Sequence, residues 1–488
     1  MRIQSVGKKG QIRMRHIWIL IFAALILVGP ALVPLFDPEV GIARADDDDG
    51  GDDGGDDGGD DGDDDGDDDD GDDDDRDSPR RGERDARPRT GEQGGGLLRR
   101  LFPRREAAAP RRRAAPPPPV AVPDEIVVLS LAGEDLAALE AQGFALIETR
   151  TLNTLQTTAH RLRIPEATSL NAARDLVRAR SSGAGADLNH YYRSEQGFDP
   201  DCNGLECPIR ASFGWPIPDA RAMSCGEGVR IGLVDTGLNP DHETFEGAAL
   251  RVLDFKPLGD TASRALHGTA VAALLVGNPG TRSPGLLPQA EVVAIDPFHR
   301  AGGDERADVF SLMDAIDRIA QEDIDVMNLS LAGPPNAALA ALLGDLIDSH
   351  NLVVVAAAGN AGPQSDPLYP SAIPEVIAVT AVDRDRNVYR RAVQGPHIDL
   401  AAPGVAVWTA ASVRGAKWKT GTSFAVPFVS AAAALLRRDA PEMTPPEIAA
   451  RLKAKATDLG EVGEDSVFGS GLSPVINPLC QVQPGGAG

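Results

Sequence analysis

Four residues in this chain are of types that together could carry out acyl transfer. Asp235 stands in VDTG, directly after the apolar run 229–234. His267 opens HGTAVAALLVG, whose apolar spacing is helical, so the imidazole is placed at a helix N-terminus. Asn360 ends AAAGN, beyond the apolar run 352–358, and Ser423 lies in GTSFAVPFVSAAAALL at the mouth of another strongly apolar helix. A serine hydroxyl is a poor nucleophile at neutral pH and needs a base within hydrogen-bond reach. Histidine suits, because its pKa lets it take the proton and later return it to a leaving amine. The imidazolium then needs a carboxylate, which also fixes the ring's tautomer. An asparagine amide and the nucleophile's own backbone N–H can serve the oxyanion, and a helix starting at Ser423 would add its positive end. Taken singly, such residues have duller uses, since an aspartate after a strand or a serine before a helix is usually a cap or turn residue. His242, in NPDHETF, is expected to cap or pack near the Asp235 loop. His160, His190, His299, His350 and His397 read as structural or exposed.

The surrounding pattern explains how such residues could be positioned. VRIGLV (229–234), AEVVAI (290–295), DVMNLSL (325–331), LVVVAAA (352–358) and VIAVTAV (376–382) are apolar, β-branched runs of the kind found in buried parallel strands. Between them, 308–322 and 337–350 have helical apolar spacing. This predicts an α/β fold, a doubly wound, mostly parallel sheet with helices on both faces. Ligands of such sheets sit at the carboxyl ends of the strands, where these four residues fall.

A smaller unit precedes it. EIVVLSL (125–131), 144–155, 158–165 and 186–193 read as strands, and 133–143 and 168–180 as helices, the second capped by Thr168. The order β-α-β-β-α-β predicts a small α+β ferredoxin-like module over 124–193.

The strings VDTG, HGTAVA, AAAGN and GTSFAVP, in that order, resemble those of the subtilisin-like serine peptidases, the subtilases. The chain order Asp, His, Ser is also the order found in that family. The resemblance covers about residues 225–478 and implies that Asp235 orients, His267 is the base, Ser423 the nucleophile and Asn360 an oxyanion donor. MNLSLAGP (327–334) is similar to the family strand that pairs with an extended peptide substrate, which gives Ser330, Leu331 and Ala332 a substrate-binding role. There are departures: Ala273 and Ala332 stand where glycine is usual, and Phe424 and Phe428 replace a common methionine and histidine. Ala332 adds a methyl beside the expected substrate strand. Pro427 lies inside a predicted helix, where the family also has a proline. The resemblance further implies that 124–193 is a propeptide acting in cis, with NHYYR in the substrate cleft and a maturation cut between about Tyr192 and Cys202. It implies no cofactor; structural calcium is common in the family, but no ligand set here matches.

Composition bounds the remainder. The chain has 488 residues, 48 basic and 73 acidic, for a net charge of −25. Residues 46–77 hold 22 acids and one base in a glycine matrix with no apolar residue, so they read as a disordered acidic spacer. Residues 78–123 form an arginine- and proline-rich linker. Residues 124–488 hold 45 acids and 29 bases, which argues against nucleic acid as a partner. Five basic residues within 1–16, an apolar run from Ile17 and the small-x-small site Ala43-Arg44-Ala45 read as a signal peptide over 1–45. An uncleaved anchor is the competing reading; with cleavage, no stable membrane span remains. Periplasm, medium and cell surface are all compatible with export. Four cysteines allow three pairings; the favoured one joins Cys202 to Cys207 and Cys225 to Cys480, with a zinc site as the alternative. The remaining boundaries are a connecting segment 194–224, a peptidase domain 225–480 and a tail 481–488. The expected function is an exported serine endopeptidase acting on proteins or peptides and made as a zymogen. The alternatives are a non-enzymatic surface or adhesion protein on the same scaffold and another serine hydrolase such as an esterase.

Overall fold

Seven parallel strands carry the large domain: β5 (Arg230–Val234), β6 (Ala249–Val252), β7 (Glu291–Ile295), β10 (Val326–Leu329), β12 (Val353–Ala357), β13 (Ile377–Val382) and β14 (Leu400–Pro403), in the order β14-β13-β12-β10-β5-β7-β6. The structure is a computed structural model that describes residues 117–194, 225–259 and 261–474. The expected signal segment, acidic tract, most of the linker, the segment 195–224 and the tail lie outside the described residues, as do Cys202, Cys207 and Cys480.

Alternate residues of these strands feed two cores. Ile231, Leu233, Val353 and Val355 pack with helices His267–Val276 and Val426–Asp439 on one face. Val234, Val354 and Ala356 pack with helices Val309–Ala320 and Ala337–His350 on the other. Burial on both faces is why the strands read as continuous apolar runs with no polar alternation. The doubly wound α/β expectation holds, and every pairing in this sheet is parallel.

The expected strand 325–331 is divided. β10 stops at Leu329, and Leu331–Ala332 form a separate short strand, β11, outside the parallel sheet. Ser330, between them, has its hydroxyl on the Ser423 carbonyl at 2.9 Å and its own carbonyl on the Ser423 hydroxyl at 3.0 Å. Those cross-contacts turn the chain out of the sheet.

In the N-terminal part, β1 (Ala121–Leu129), helix Gly133–Glu140, β2 (Ala145–Leu152), β3 (Thr157–Arg163), helix Leu170–Arg178 and β4 (Asp187–Ser194) follow in that order. Their antiparallel sheet runs β2-β3-β1-β4 around Ile126, Val128, Leu139, Phe144, Leu162 and Val177. Two expectations need correction. The first strand runs from Ala121 to Leu129, starting before the expected Glu125 and before the expected module boundary at Asp124, and its pairing with β4 shifts register between Ala121 and Ile126; Pro123, which cannot donate to a ladder, falls in that irregular stretch. The second helix is capped by Ser169, whose hydroxyl accepts from the Ala172 N–H, and Thr168 lies one residue outside.

A hairpin that sequence reading did not anticipate, β8 (His299–Ala301) and β9 (Asp304–Asp308), extends the small sheet, because β9 pairs with β4. The small sheet also sits on helix Val309–Ala320. Asp317 accepts the Asn153 and Thr154 N–H groups at 2.8 Å each, Arg150 reaches Asp314 at 2.8 Å, and Val127, Leu152, Ala159 and Tyr192 share a core with Phe310. Among the described residues no helix is long and apolar enough to cross a membrane, and no group of three or more His, Cys, Asp and Glu is placed to hold a metal ion.

Candidate active site

Asp235 leaves the carboxyl end of β5, and its carboxylate meets the His267 imidazole at 2.6 Å from Oδ1 to Nδ1. Both are buried, at 2% and 0% exposure, so water barely screens the pair. Asp235 Oδ1 also accepts from the Thr236 N–H at 2.7 Å. A proton on Nδ1 shared with the carboxylate leaves Nε2 as the basic nitrogen, and Nε2 is buried with no hydrogen-bond partner among the described residues. The VDTG turn and the start of the His267 helix fix each other. The Gly268 N–H donates to Thr236 Oγ1 at 3.0 Å, and a Cβ on Gly268 would lie 2.2 Å from the Thr236 carbonyl oxygen. Only glycine allows that approach.

The structure corrects the local setting of Ser423. The helix does not begin there: Thr422–Phe424 form a single 3-10 turn, and the α-helix starts at Val426. Pro427 falls in its first turn, where a missing N–H costs nothing. The Ser423 hydroxyl donates to the Ser330 carbonyl at 3.0 Å and not to His267. The two sites are still neighbours, since the Phe424 ring, one residue on, lies 5.1 Å from the His267 ring. Asn360, three residues beyond β12, accepts at Oδ1 from both the Thr422 N–H and hydroxyl, at 3.1 Å each, which ties its amide to the serine turn.

Ser330, Leu331 and Ala332 form the wall beside Ser423. β11 pairs antiparallel with β4, Leu331 opposite Ser194 and Ala332 opposite Arg193, so the added Ala332 methyl does not prevent strand pairing. On its other side β4 pairs with β9, Tyr191 opposite Asp308 and Tyr192 opposite Ala307. Tyr192 is fully buried, its hydroxyl donating to the Pro334 carbonyl at 2.9 Å.

Several supporting residues were missed by the sequence reading. Asn328 accepts from the Ser430 hydroxyl and donates to Ser330 Oγ, both at 2.9 Å. Asn328 lies within MNLSLAGP, whose family likeness is a usable signal. Ser263 and Asp296 gave none. Ser263 accepts from the Gly237 N–H at 2.7 Å and donates to Asp296 at 2.6 Å. Because Val234 and Ile295 are register partners, Asp296 leaves the sheet beside Asp235. Burial pushes the Asp296 carboxyl up to about 7, and the charges of Asp235 and Glu305 push the same way. Burial likewise brings Lys419, four residues before Ser423, down to about 8. His242 caps the turn 243–245 through Nδ1. Cys225 is buried and disulfide-bonded; its partner lies outside the described residues.

Comparison with known proteins agrees with this geometry. The subtilase family model matches residues 226–471, just over half of the chain. The chain is 31% identical to subtilisin DY of Bacillus licheniformis over 252 residues, 51% of this chain and 89% of that protein. It is 32% identical to subtilisin BL of Lederbergia lenta over 250 residues, again 51% and 89%. Its fold is similar to that of fervidolysin from Fervidobacterium pennivorans, described as a keratinolytic enzyme related to subtilisin, with a TM-score of 0.60 and 19% identity over 75% of this chain and 62% of that one. With half of its length matched by the family model and two subtilisins aligned over nearly their whole length, the chain belongs to the subtilase family and is a subtilisin-like serine endopeptidase.

Proposed function

We propose that Ser423 is the nucleophile, His267 the general base and acid, and Asp235 the orienting carboxylate of an exported endopeptidase made as a zymogen. The observation that carries the reading is the buried 2.6 Å pair between Asp235 and His267, with the Ser423 turn packed beside it. In the first step the Ser423 hydroxyl swings from the Ser330 carbonyl to Nε2 and gives up its proton as Oγ bonds to the substrate carbonyl carbon. The carbonyl electron pair moves to oxygen, where the Asn360 amide and the Ser423 N–H receive it. Collapse breaks the C–N bond, and Nε2 returns the proton to the departing amine. Water then repeats the sequence on the acyl-enzyme. Ser330, Leu331 and Ala332 hold the substrate backbone by β-pairing, which favours peptides over small esters.

The segment from Ala121 to Ser194 is the inhibitory propeptide in this reading. Its support is the position of β4, lying along β11 in the place proposed for substrate. Support for export comes from the charged, apolar and small-x-small pattern of the first 45 residues and from the disulfide at Cys225, which suits an oxidising compartment. A fluorophosphonate probe should label Ser423 in the processed protein, and Ser423→Ala should abolish both labelling and self-processing. Labelling that survives the substitution rejects the assignment. N-terminal sequencing of the exported protein should give a start beyond Ser194.

A further inference from the structure

The tail of β4 shows how the cleft grips side chains as well as backbone. Tyr191 and Arg193 share one face of the strand, and Tyr192 takes the other. The Arg193 guanidinium makes a two-pronged contact with Asp304 at the start of β9, Nε to Oδ1 at 2.7 Å and Nη2 to Oδ2 at 2.8 Å. Arg306 donates to the same carboxylate at 3.0 Å and lies 3.9 Å above the Tyr191 ring. Asp304 thus stands between two guanidinium groups and cancels their mutual repulsion. Arg193 also donates to the Pro119 carbonyl at 2.8 Å, an acceptor that a separate substrate would not meet. Asp304 belongs to the large domain and stays in the cleft.

We propose that Asp304 selects substrates with an arginine three residues before the cut bond, counting the residue at the cut as the first. The inference deepens the proposed function and rests on it, since it takes β4 as a stand-in for substrate. The register supplies the count. Arg193 stands opposite Ala332 and Ser194 opposite Leu331, so the next residue of a bound peptide falls opposite Ser330, whose carbonyl holds the Ser423 hydroxyl at 3.0 Å. Arginine is preferred over lysine because a planar fork matches both carboxylate oxygens, whereas an ammonium is a single point charge. The hydrogen bond from Arg193 holds the Asp304 carboxyl below its ordinary range, with the charges of Arg193 and Arg306 acting in the same direction.

The test uses the self-processed protein from the full chain and internally quenched peptides built on the sequence YYRSEQGF, residues 191–198, with the arginine kept or replaced by lysine, glutamine or glutamate. Wild type should cut the arginine peptide about tenfold or more faster in kcat/KM than the glutamine peptide, as expected for a bidentate charged pair, with glutamate the slowest. In Asp304→Asn and Asp304→Ala that ratio should fall below about threefold by the same reasoning. Equal cutting of the arginine and glutamine peptides by wild type overturns the inference and leaves the peptidase reading intact. So does a preference that survives Asp304→Ala. If the fluorophosphonate labels Ser423 but no peptide is cut, protection against labelling replaces turnover, and equal protection by the arginine and glutamine peptides overturns the inference. Failure of both labelling and cutting removes the proposed function, and the inference with it.

Discussion

Gly333 packs directly against Tyr192 of the proposed propeptide, and a single methyl there should loosen the contact. A Cβ at this position would lie 2.6 Å from Tyr192 Cδ1, 2.8 Å from Cε1 and 2.9 Å from Cγ. The ring has little room to yield, being fully buried with its hydroxyl bonded to the Pro334 carbonyl. If the ring is expelled, the loss is about 1.5–3 kcal/mol of aromatic burial plus about 1 kcal/mol for the hydrogen bond. If it is only displaced, overpacking costs about 1–3 kcal/mol. Displacement is the cheaper route and centres on about 2 kcal/mol, or roughly 30-fold in the ratio of docked to undocked tail. The assay is hydrogen exchange of full-length Ser423→Ala, which should remain uncut, with and without Gly333→Ala. Amides in 187–194 should exchange about 30-fold faster in the double variant, while those in Val353–Ala357 and Ile377–Val382 keep their protection. Unchanged protection of 187–194 would refute the steric argument. Equal loss in all three segments would show a global effect and refute the local one.

Gly268→Ala places a Cβ 2.2 Å from the Thr236 carbonyl oxygen, which should separate His267 from Asp235; kcat should fall by at least about 100-fold, and an unchanged kcat in a folded variant would count against the interlocked turn. Asn328→Ala strands the buried Ser430 hydroxyl, at about 1–3 kcal/mol, while Ser330 keeps its bond to the Ser423 carbonyl; urea unfolding should show the loss, and a stability within 0.5 kcal/mol of the parent, about the scatter of surface substitutions, contradicts it. Asp296 has its folded pKa raised to about 7 from an ordinary 3.8, so the folded state binds the extra proton. The stability it contributes is present below the ordinary value and lost as pH rises to about 7, at up to about 1.4 kcal/mol per pH unit. The difference between Asp296→Asn and the parent should therefore move in favour of the variant from pH 4 to 7 and level off above; a difference flat across that window refutes the raised carboxyl.

The strands and helices of the parallel sheet were legible because each has a local cause, as were the turns that carry the groups proposed to react. Burial on both faces forces continuous apolar runs such as 352–358, and the turns that carry Asp235 and His267 need small residues in a fixed order. The departures had distant causes. The break at Ser330 comes from contacts with Ser423, 93 positions later, and the polar strand Asp304–Asp308 lies between β8 and β4, a placement its own residue pattern does not report. Nothing near Asp296 in the chain marks it; parallel register alone sets it next to Asp235. The pairing of Arg193 with Asp304 spans 111 positions. Local pattern reports how a segment meets its own core and solvent, whereas contacts between distant segments arise only once the layers have packed. Sequence therefore determined which residues are proposed to react, and tertiary structure alone decided what holds them in place and what lies along the cleft.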